Sequence, residues 1–319
     1  MKAFVTAEWT EEGREALEQL GYTVETGGWG ATRQAMAPEG LARAARDAAL
    51  LVVEVEDVGK AVLDRLPALQ VIGTARGSPT NIDLAACTAR GVPVLHTPAR
   101  NADSVADFTI GLMLSLARGI SAGERHLRET GWMVGDELPY LHFRGPELAG
   151  RTLGLVGRGA VGSRVERRAR DGFGMRVVFH DPYVEGSLPL EELLSSADFV
   201  SLHCPRTPAT EGLIGAKALA LMRPTAYLVN TAGGACVDEA ALVEALEAAT
   251  IAGAALDVYA REPLPPDSPL LACDRLVLTP HLAGAADDVV RHHTELLCAD
   301  VTRLHTGQRP LYCANPETL

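Results

Sequence analysis

The sequence has no CxxC pair, no tandem repeat, no low-complexity stretch and no long apolar run, and it is short of positive charge. Its six cysteines (Cys87, Cys204, Cys236, Cys273, Cys298 and Cys313) are scattered through 319 residues. That spacing argues against a zinc site and fits reduced thiols in a cytoplasm. The longest apolar stretch near the start, AFV, is too short for a signal peptide or a membrane span. With 29 Lys and Arg against 41 Asp and Glu, the net charge of -12 turns the chain away from nucleic-acid phosphates and anionic membranes. What is present is the balance of a globular protein, 47% hydrophobic and 22% charged, in a chain long enough for two domains.

Short β-branched runs alternate with alanine- and leucine-rich amphipathic stretches. KAFVTA, LLVVEVE, LQVIGTA and VPVLHT are strand candidates of a first series. Helical patterns such as EEGREALEQL, KAVLDRL and DLAACTARG separate them. A second series starts at Arg151, with RTLGLVG, MRVVFHD, DFVSLH, AYLVN, IAGAALDV and RLVLTPH. This alternation predicts an α/β fold of parallel sheets covered on both faces. Between the two series lies one long helical pattern over 103–130 and a looser Trp/Tyr/Pro stretch; another long helix is expected over 285–306. The expected organisation is two doubly wound domains with a cleft between them. Residues 1–100 with 285–319 form one, and 101–284 the other.

LGLVGRGAVGSRVERRA carries Gly157, Gly159 and Gly162 as G-x-G-x-x-G, between an apolar run and a helix pattern. Asp181 ends the next strand, 181 − 162 = 19 residues past the last glycine. This is the spacing of a dinucleotide site: the backbone approaches the pyrophosphate and the acid takes the ribose hydroxyls. A carboxylate at Asp181 would repel a 2′-phosphate, and Pro182-Tyr183 supply no cation for one, so NAD is favoured over NADP. Arg158, inside the loop, is a candidate for the pyrophosphate or simply a solvent-facing side chain. Further on, Glu262 and His281 are candidates for acid–base work at a carbonyl: the imidazolium gives the proton and the carboxylate orients the ring.

Together, these stretches resemble the D-isomer-specific 2-hydroxyacid dehydrogenases, the family of glyoxylate/hydroxypyruvate reductases and D-3-phosphoglycerate dehydrogenases. The resemblance runs from ARGSPTNIDLAACTARGVPVLHTPARNADSVADFTIGLMLSLAR through GRGAVG, HDPY, DFVSLHCPRTPATEGLI and VNTAGGACVDEAAL to AGAALDVYAREPLPPDSPLL and LTPHLAG. It implies a flavodoxin-like substrate domain, a Rossmann NAD-binding domain, a small-molecule substrate, and a homodimer built partly on an arm over about 118–150. The apolar face from Phe108 to Leu116 would support the dimer, unless it packs inside its own chain. By resemblance, His281 and Glu262 are the acid–base pair. Asp257 is expected to meet the nicotinamide amide, and Ala160, Val161 and Asp181 to contact the nucleotide. His203, Pro205 and Thr210 match the loop on the adenosine side, and Thr231, Ala232, Gly233 and Gly284 fall on further cofactor contacts. Arg76, Gly77 and Ser78 match the loop whose amides receive a substrate carboxylate. The tail LYCANPETL is expected to carry no appended regulatory module.

One position departs. In the resembling enzymes the strand ending at Asn230-Thr231 continues with a small residue and then an arginine, which clamps the substrate carboxylate. Here that place is Gly233, and no Arg lies between Arg223 and Arg261. Three functions stay open. The first is a 2-hydroxyacid dehydrogenase that uses another cation (Arg76 foremost, with Arg261, Arg100 and Arg144 behind it) or needs no clamp. The others are an NAD(H)-binding sensor or scaffold, and a dehydrogenase for a sugar-like substrate.

Overall fold

The computed structural model describes residues 1–319 and divides into two compact units, Met1–Asn101 with Ala286–Leu319, and Ala102–Ala285. In the first unit five strands, β1 (Lys2–Val5), β2 (Thr23–Thr26), β3 (Ala48–Val53), β4 (Val71–Thr74) and β5 (Val94–Leu95), form one sheet in the order β2-β1-β3-β4-β5. All its pairings are parallel, and the order is that of a flavodoxin-like doubly wound sheet. β3 shows why this sheet forms. Its sequence AALLVV is buried along its length, with Leu51 and Val53 packed in one core cluster and Leu50 and Val52 in another. A strand apolar on both faces needs helices on both. The strand β2 is not among those expected from sequence, because TVET is an edge strand exposed over most of its length and has no apolar stripe to betray it.

The second unit holds β6 (Thr152–Val156), β7 (Arg176–His180), β8 (Phe199–Leu202), β9 (Tyr227–Asn230), β10 (Gly253–Leu256) and β11 (Leu276–Leu278), ordered β11-β10-β9-β8-β6-β7. All six coincide with strands expected from the sequence, and every pairing is parallel. Leu153 and Leu155 of β6 pack beneath the helices Ala102–Arg118 and Ala160–Arg167. Val156 faces the opposite cluster around Leu193 and Leu202. Burial of each such side chain stabilises the fold by about 1.5–3 kcal/mol. The strand order reverses at β6, which lies between β7 and β8. That reversal opens a crevice at the carboxyl ends of the strands, the usual ligand site of such a sheet.

The helix expected over 103–130 is broken in two. Ala102–Arg118 ends at Gly119, whose φ of +60° is left-handed, and Ile120–Glu129 starts anew at an angle of 62°. Glycine reaches that conformation without the steric cost other residues meet. Ile110, Leu112 and Met113 are buried in the core of their own unit, so much of the apolar face from Phe108 to Leu116 packs within the chain. No single helix is long and apolar enough to cross a membrane.

Candidate active site

The glycine turn sits where β6 meets the switch point. Gly157 has φ +96°, and a Cβ there would lie 2.7 Å from the carbonyl carbon and oxygen of His203. A Cβ on Gly162 would lie 2.2 Å from the Gly157 carbonyl oxygen. These two glycines let loop, helix and neighbouring strand close on one another. Gly159 differs, since a Cβ there would meet nothing within 4 Å. It is the N-cap of a helix that starts with exposed Ala160 and half-buried Val161. The first N–H groups of a helix have no partners within it, so this open side is a cradle for an anion. Asp181 closes the far edge and orders the loop itself: Oδ2 accepts from Arg158 N at 2.8 Å and Oδ1 from Tyr183 N at 3.1 Å.

Arg158 requires a correction. Its guanidinium donates to both carboxylate oxygens of Glu166, at 2.6 and 3.1 Å, and lies over the Phe179 ring. The pairing has a local cause, because Glu166 is a nearly buried acid on the helix that starts in the same loop. Arg158 therefore ties loop to helix, and its charge is spent there.

His203 Nε2 bonds Ser201 Oγ at 2.9 Å, while Nδ1 is buried with no partner. Burial pushes the His203 pKa down to about 3 from 6.5. Above pH 6.5 the ring is neutral in both folded and unfolded chains. As pH falls from 6.5 toward 3, the unfolded chain gains a proton that the folded one refuses, and stability is lost. The expected loss at pH 5 is at most about 2 kcal/mol. His203→Asn should accordingly lose less melting temperature between pH 7.5 and 5 than the parent does. Parallel losses in the two proteins would refute the assignment.

Asn230 shapes the bare junction after β9. Its Oδ1 accepts from Ala232 N and Gly233 N at 3.0 and 3.3 Å, and its Nδ2 donates to Gly233 O at 3.0 Å. Thr231 shares a hydrogen bond of 3.0 Å with Thr109. Gly234 presses on the next strand's exit, where a Cβ would lie 1.8 Å from the Tyr259 carbonyl carbon. Tyr259 N in turn donates to Glu262 Oε1 at 3.1 Å.

His281 Nδ1 and Glu262 Oε2 are 2.8 Å apart. The pair is accessible, with side-chain exposures of 61% and 38%, and His281 Nε2 makes no hydrogen bond within the protein. Burial, the largest influence on the Glu262 carboxyl, pushes its pKa up. The hydrogen bonds from His281 and Tyr259 N and the charge of His281 outweigh it, so the net direction is down. His281 is held at φ +57°, a conformation that costs energy and persists only where the surroundings impose it. Asp257 is what imposes it. Fully buried, it accepts from Thr279 Oγ1 at 2.6 Å, Leu282 N at 2.7 Å and Ala283 N at 2.8 Å. Resemblance assigns Asp257 to the nicotinamide amide; here its carboxylate is the post around which residues 279–283 wrap, with Gly284 just beyond. Ser104 Oγ anchors the same loop through Ala283 O at 2.7 Å.

In the first unit, Gly77 O bonds His96 Nδ1 at 2.9 Å, Gly77 and Ser78 are exposed, and Arg76 forms no ion pair. Arg100 is committed to Glu54 at 3.1 Å and His293 at 2.8 Å, which removes it as a spare cation. Arg144 lies over Tyr140. Arg206 follows Pro205 in the loop that runs to Thr210, and nothing in the sequence pattern marks it out. In the fold, a Cβ on Gly233 would lie 3.9 Å from Arg206 Cβ.

A doubly wound parallel sheet with a glycine turn at its switch point, an open helix start and an acid closing the next strand defines a dinucleotide-binding domain. Residues 110–283 match the family described as D-isomer specific 2-hydroxyacid dehydrogenase, NAD binding domain. The chain is 38% identical to the glyoxylate reductase of Thermofilum pendens, over 100% of this chain and 95% of that protein. It is 35% identical to the D-3-phosphoglycerate dehydrogenase of Methanocaldococcus jannaschii, over 97% of this chain but only 58% of that longer protein. Among solved structures, the TT0316 protein of Thermus thermophilus is 37% identical, with a TM-score of 0.82 over 98% of this chain and 100% of that one. D-Lactate dehydrogenase with NAD+ from Lactobacillus jensenii is 25% identical, with a TM-score of 0.82 over 98% and 99%. The chain belongs to the D-isomer specific 2-hydroxyacid dehydrogenase family. Its second unit is an NAD-binding domain, and its activity is that of an NAD-dependent 2-hydroxyacid oxidoreductase.

Proposed function

We propose that the protein interconverts a small 2-keto acid and its 2-hydroxy acid, with His281 as the proton donor and acceptor and Glu262 as its partner. The observation that carries this reading is the His281–Glu262 pair at 2.8 Å. The carboxylate holds Nδ1, which leaves Nε2 free to exchange a proton with a substrate oxygen. Bound NADH supplies the hydride for reduction, and NAD accepts it in the reverse direction. The turn at Gly157, Gly159 and Gly162 and the helix start at Ala160 and Val161 hold the pyrophosphate, and Asp181 receives the ribose hydroxyls. Asp257 acts through His281 by shaping its loop. In the first unit, the Arg76–Gly77–Ser78 loop offers backbone amides to the substrate.

The test is NADH oxidation by purified protein with glyoxylate, hydroxypyruvate, phenylpyruvate and a few keto sugars, beside a fluorescence titration of NADH. Oxidation with a keto acid is the expected result; tight NADH binding with no oxidation across the panel would overturn the reading. Gly233 is the observation that favours a second one, an NAD(H)-binding sensor or an oxidoreductase for a sugar-like substrate without a carboxylate.

Asp181→Ala should erode the preference for NADH over NADPH by about tenfold or more, since the acid both binds the ribose and repels a 2′-phosphate. An unchanged ratio of kcat/KM values would remove Asp181 from that role. The arm supports a homodimer. Leu127, Trp132, Leu138 and Tyr140 are 54%, 71%, 55% and 78% exposed along it, apolar surface of the kind a partner copy covers.

A further inference from the structure

Gly233 is extended, with φ −168°, a conformation open to any residue, and the space around it is free. A Cβ there would have only the ordinary contacts of 3.8 Å to Cys236 Sγ and 3.9 Å to Arg206 Cβ. Arg206 Cβ therefore lies beside the point from which a side chain at residue 233 would start. Arg206 is exposed and pairs with no carboxylate. Its loop is held against the 233–237 segment. Gly212 N donates to Ala235 O at 2.8 Å and Ile214 N to Cys236 O at 3.0 Å, while Thr210 Oγ1 closes the loop on Pro205 O at 2.7 Å. The same segment presses, through Gly234, on the turn that presents Glu262 to His281.

Resting on the dehydrogenase reading above, we propose that Arg206 supplies the cation that binds the substrate carboxylate here, in place of the arginine that position 233 lacks. The clamp has moved from the β9 exit to the adjoining loop, 233 − 206 = 27 residues earlier in the chain but next to it in space. The preferred substrates are then small monoanions whose carboxylate adjoins the reacting carbonyl. A guanidinium suits this task because its planar fork meets a carboxylate through two hydrogen bonds. The charge is felt locally. The Cys236 thiol is drawn below its usual value, first by its hydrogen bond with Cys204 and then, against burial, by Thr210 and the charge of Arg206.

Two measurements on the holoprotein test this. The first is calorimetric titration of oxalate, which carries the carboxylate edge of a 2-keto acid but cannot be reduced, into the NADH complexes of parent and Arg206→Ala. The second is keto-acid turnover by both. Arg206→Ala should weaken oxalate and raise KM for keto acids by roughly ten- to a hundredfold, with an unchanged melting temperature as a control of folding. Arg206→Lys, which keeps charge without the fork, should fall between. Gly233→Arg in the Arg206→Ala background should restore both oxalate binding and KM. Equal oxalate affinity in parent and Arg206→Ala, or no oxalate binding by the parent, would overturn the assignment whatever the turnover. Oxalate binding that depends on Arg206 without any keto-acid oxidation would support the clamp and sink the dehydrogenase reading alone.

Discussion

His281→Ala is expected to lower kcat for keto-acid reduction by about 10²- to 10⁴-fold, the usual worth of a positioned general acid. NADH affinity should stay within a few-fold. The split follows from the geometry: the ring is 61% exposed, bonded on one side only to Glu262, and the pyrophosphate cradle lies on other elements. One complication is built into the position. At φ +57° alanine meets the left-handed strain that the histidine already bears, but without the tolerance of that region that histidine shares with asparagine. His281→Asn controls for this, because asparagine tolerates the left-handed region better and cannot replace the imidazole as acid. Stopped-flow reduction and NADH titration of both variants are decisive. Loss of turnover in both with affinity retained is the expected pattern. If NADH affinity falls as far as turnover does, the histidine is structural.

Gly157→Ala should nearly abolish NADH binding. The added methyl group would sit at φ +96° and 2.7–2.8 Å from the backbone of His203 and Cys204, and main chain cannot swing aside as a side chain can. Left-handed strain of about 1–2 kcal/mol combines with an overpacking cost of about 1–3 kcal/mol. Relief means parting β6 from β8 at the switch point, where the cradle lies. That strain is borne with and without NADH and lowers the melting temperature, whereas the displaced cradle is expected to cost at least about a hundredfold in NADH affinity, about 2.8 kcal/mol. Gly159→Ala is the contrast: its Cβ meets no protein atom, so the melting temperature should hold and only the approach of the pyrophosphate should suffer. NADH affinity in Gly157→Ala within a few-fold of the parent would refute this account of the turn.

Much of this was legible in the sequence because it depends on short-range pattern. The strands β6 to β11 announce themselves as apolar runs, since a parallel strand buried on both faces has little room for polar residues. The glycine turn and Asp181 lie within 181 − 157 = 24 residues, and the acid–base pair within 281 − 262 = 19. The edge strand β2 and the break at Gly119 were less visible. An exposed edge imposes no apolar period, and one glycine inside a continuous helical pattern does not declare its φ.

The sequence by itself determined the class of fold, the cofactor and the absence of a cation at position 233, because each is a matter of residue identity in a local pattern. Only the tertiary structure decided where the charges go. Arg158, which sits in the glycine loop, is drawn to Glu166. Arg100 is taken by Glu54 and His293, and Asp257 is enclosed by the loop it holds. Arg206, from a different loop, arrives beside Gly233. A long side chain's partner depends on which loops converge, and in a doubly wound sheet the loops at the carboxyl ends of adjacent strands meet whatever their separation in sequence. That convergence is what brings Arg206 beside Gly233.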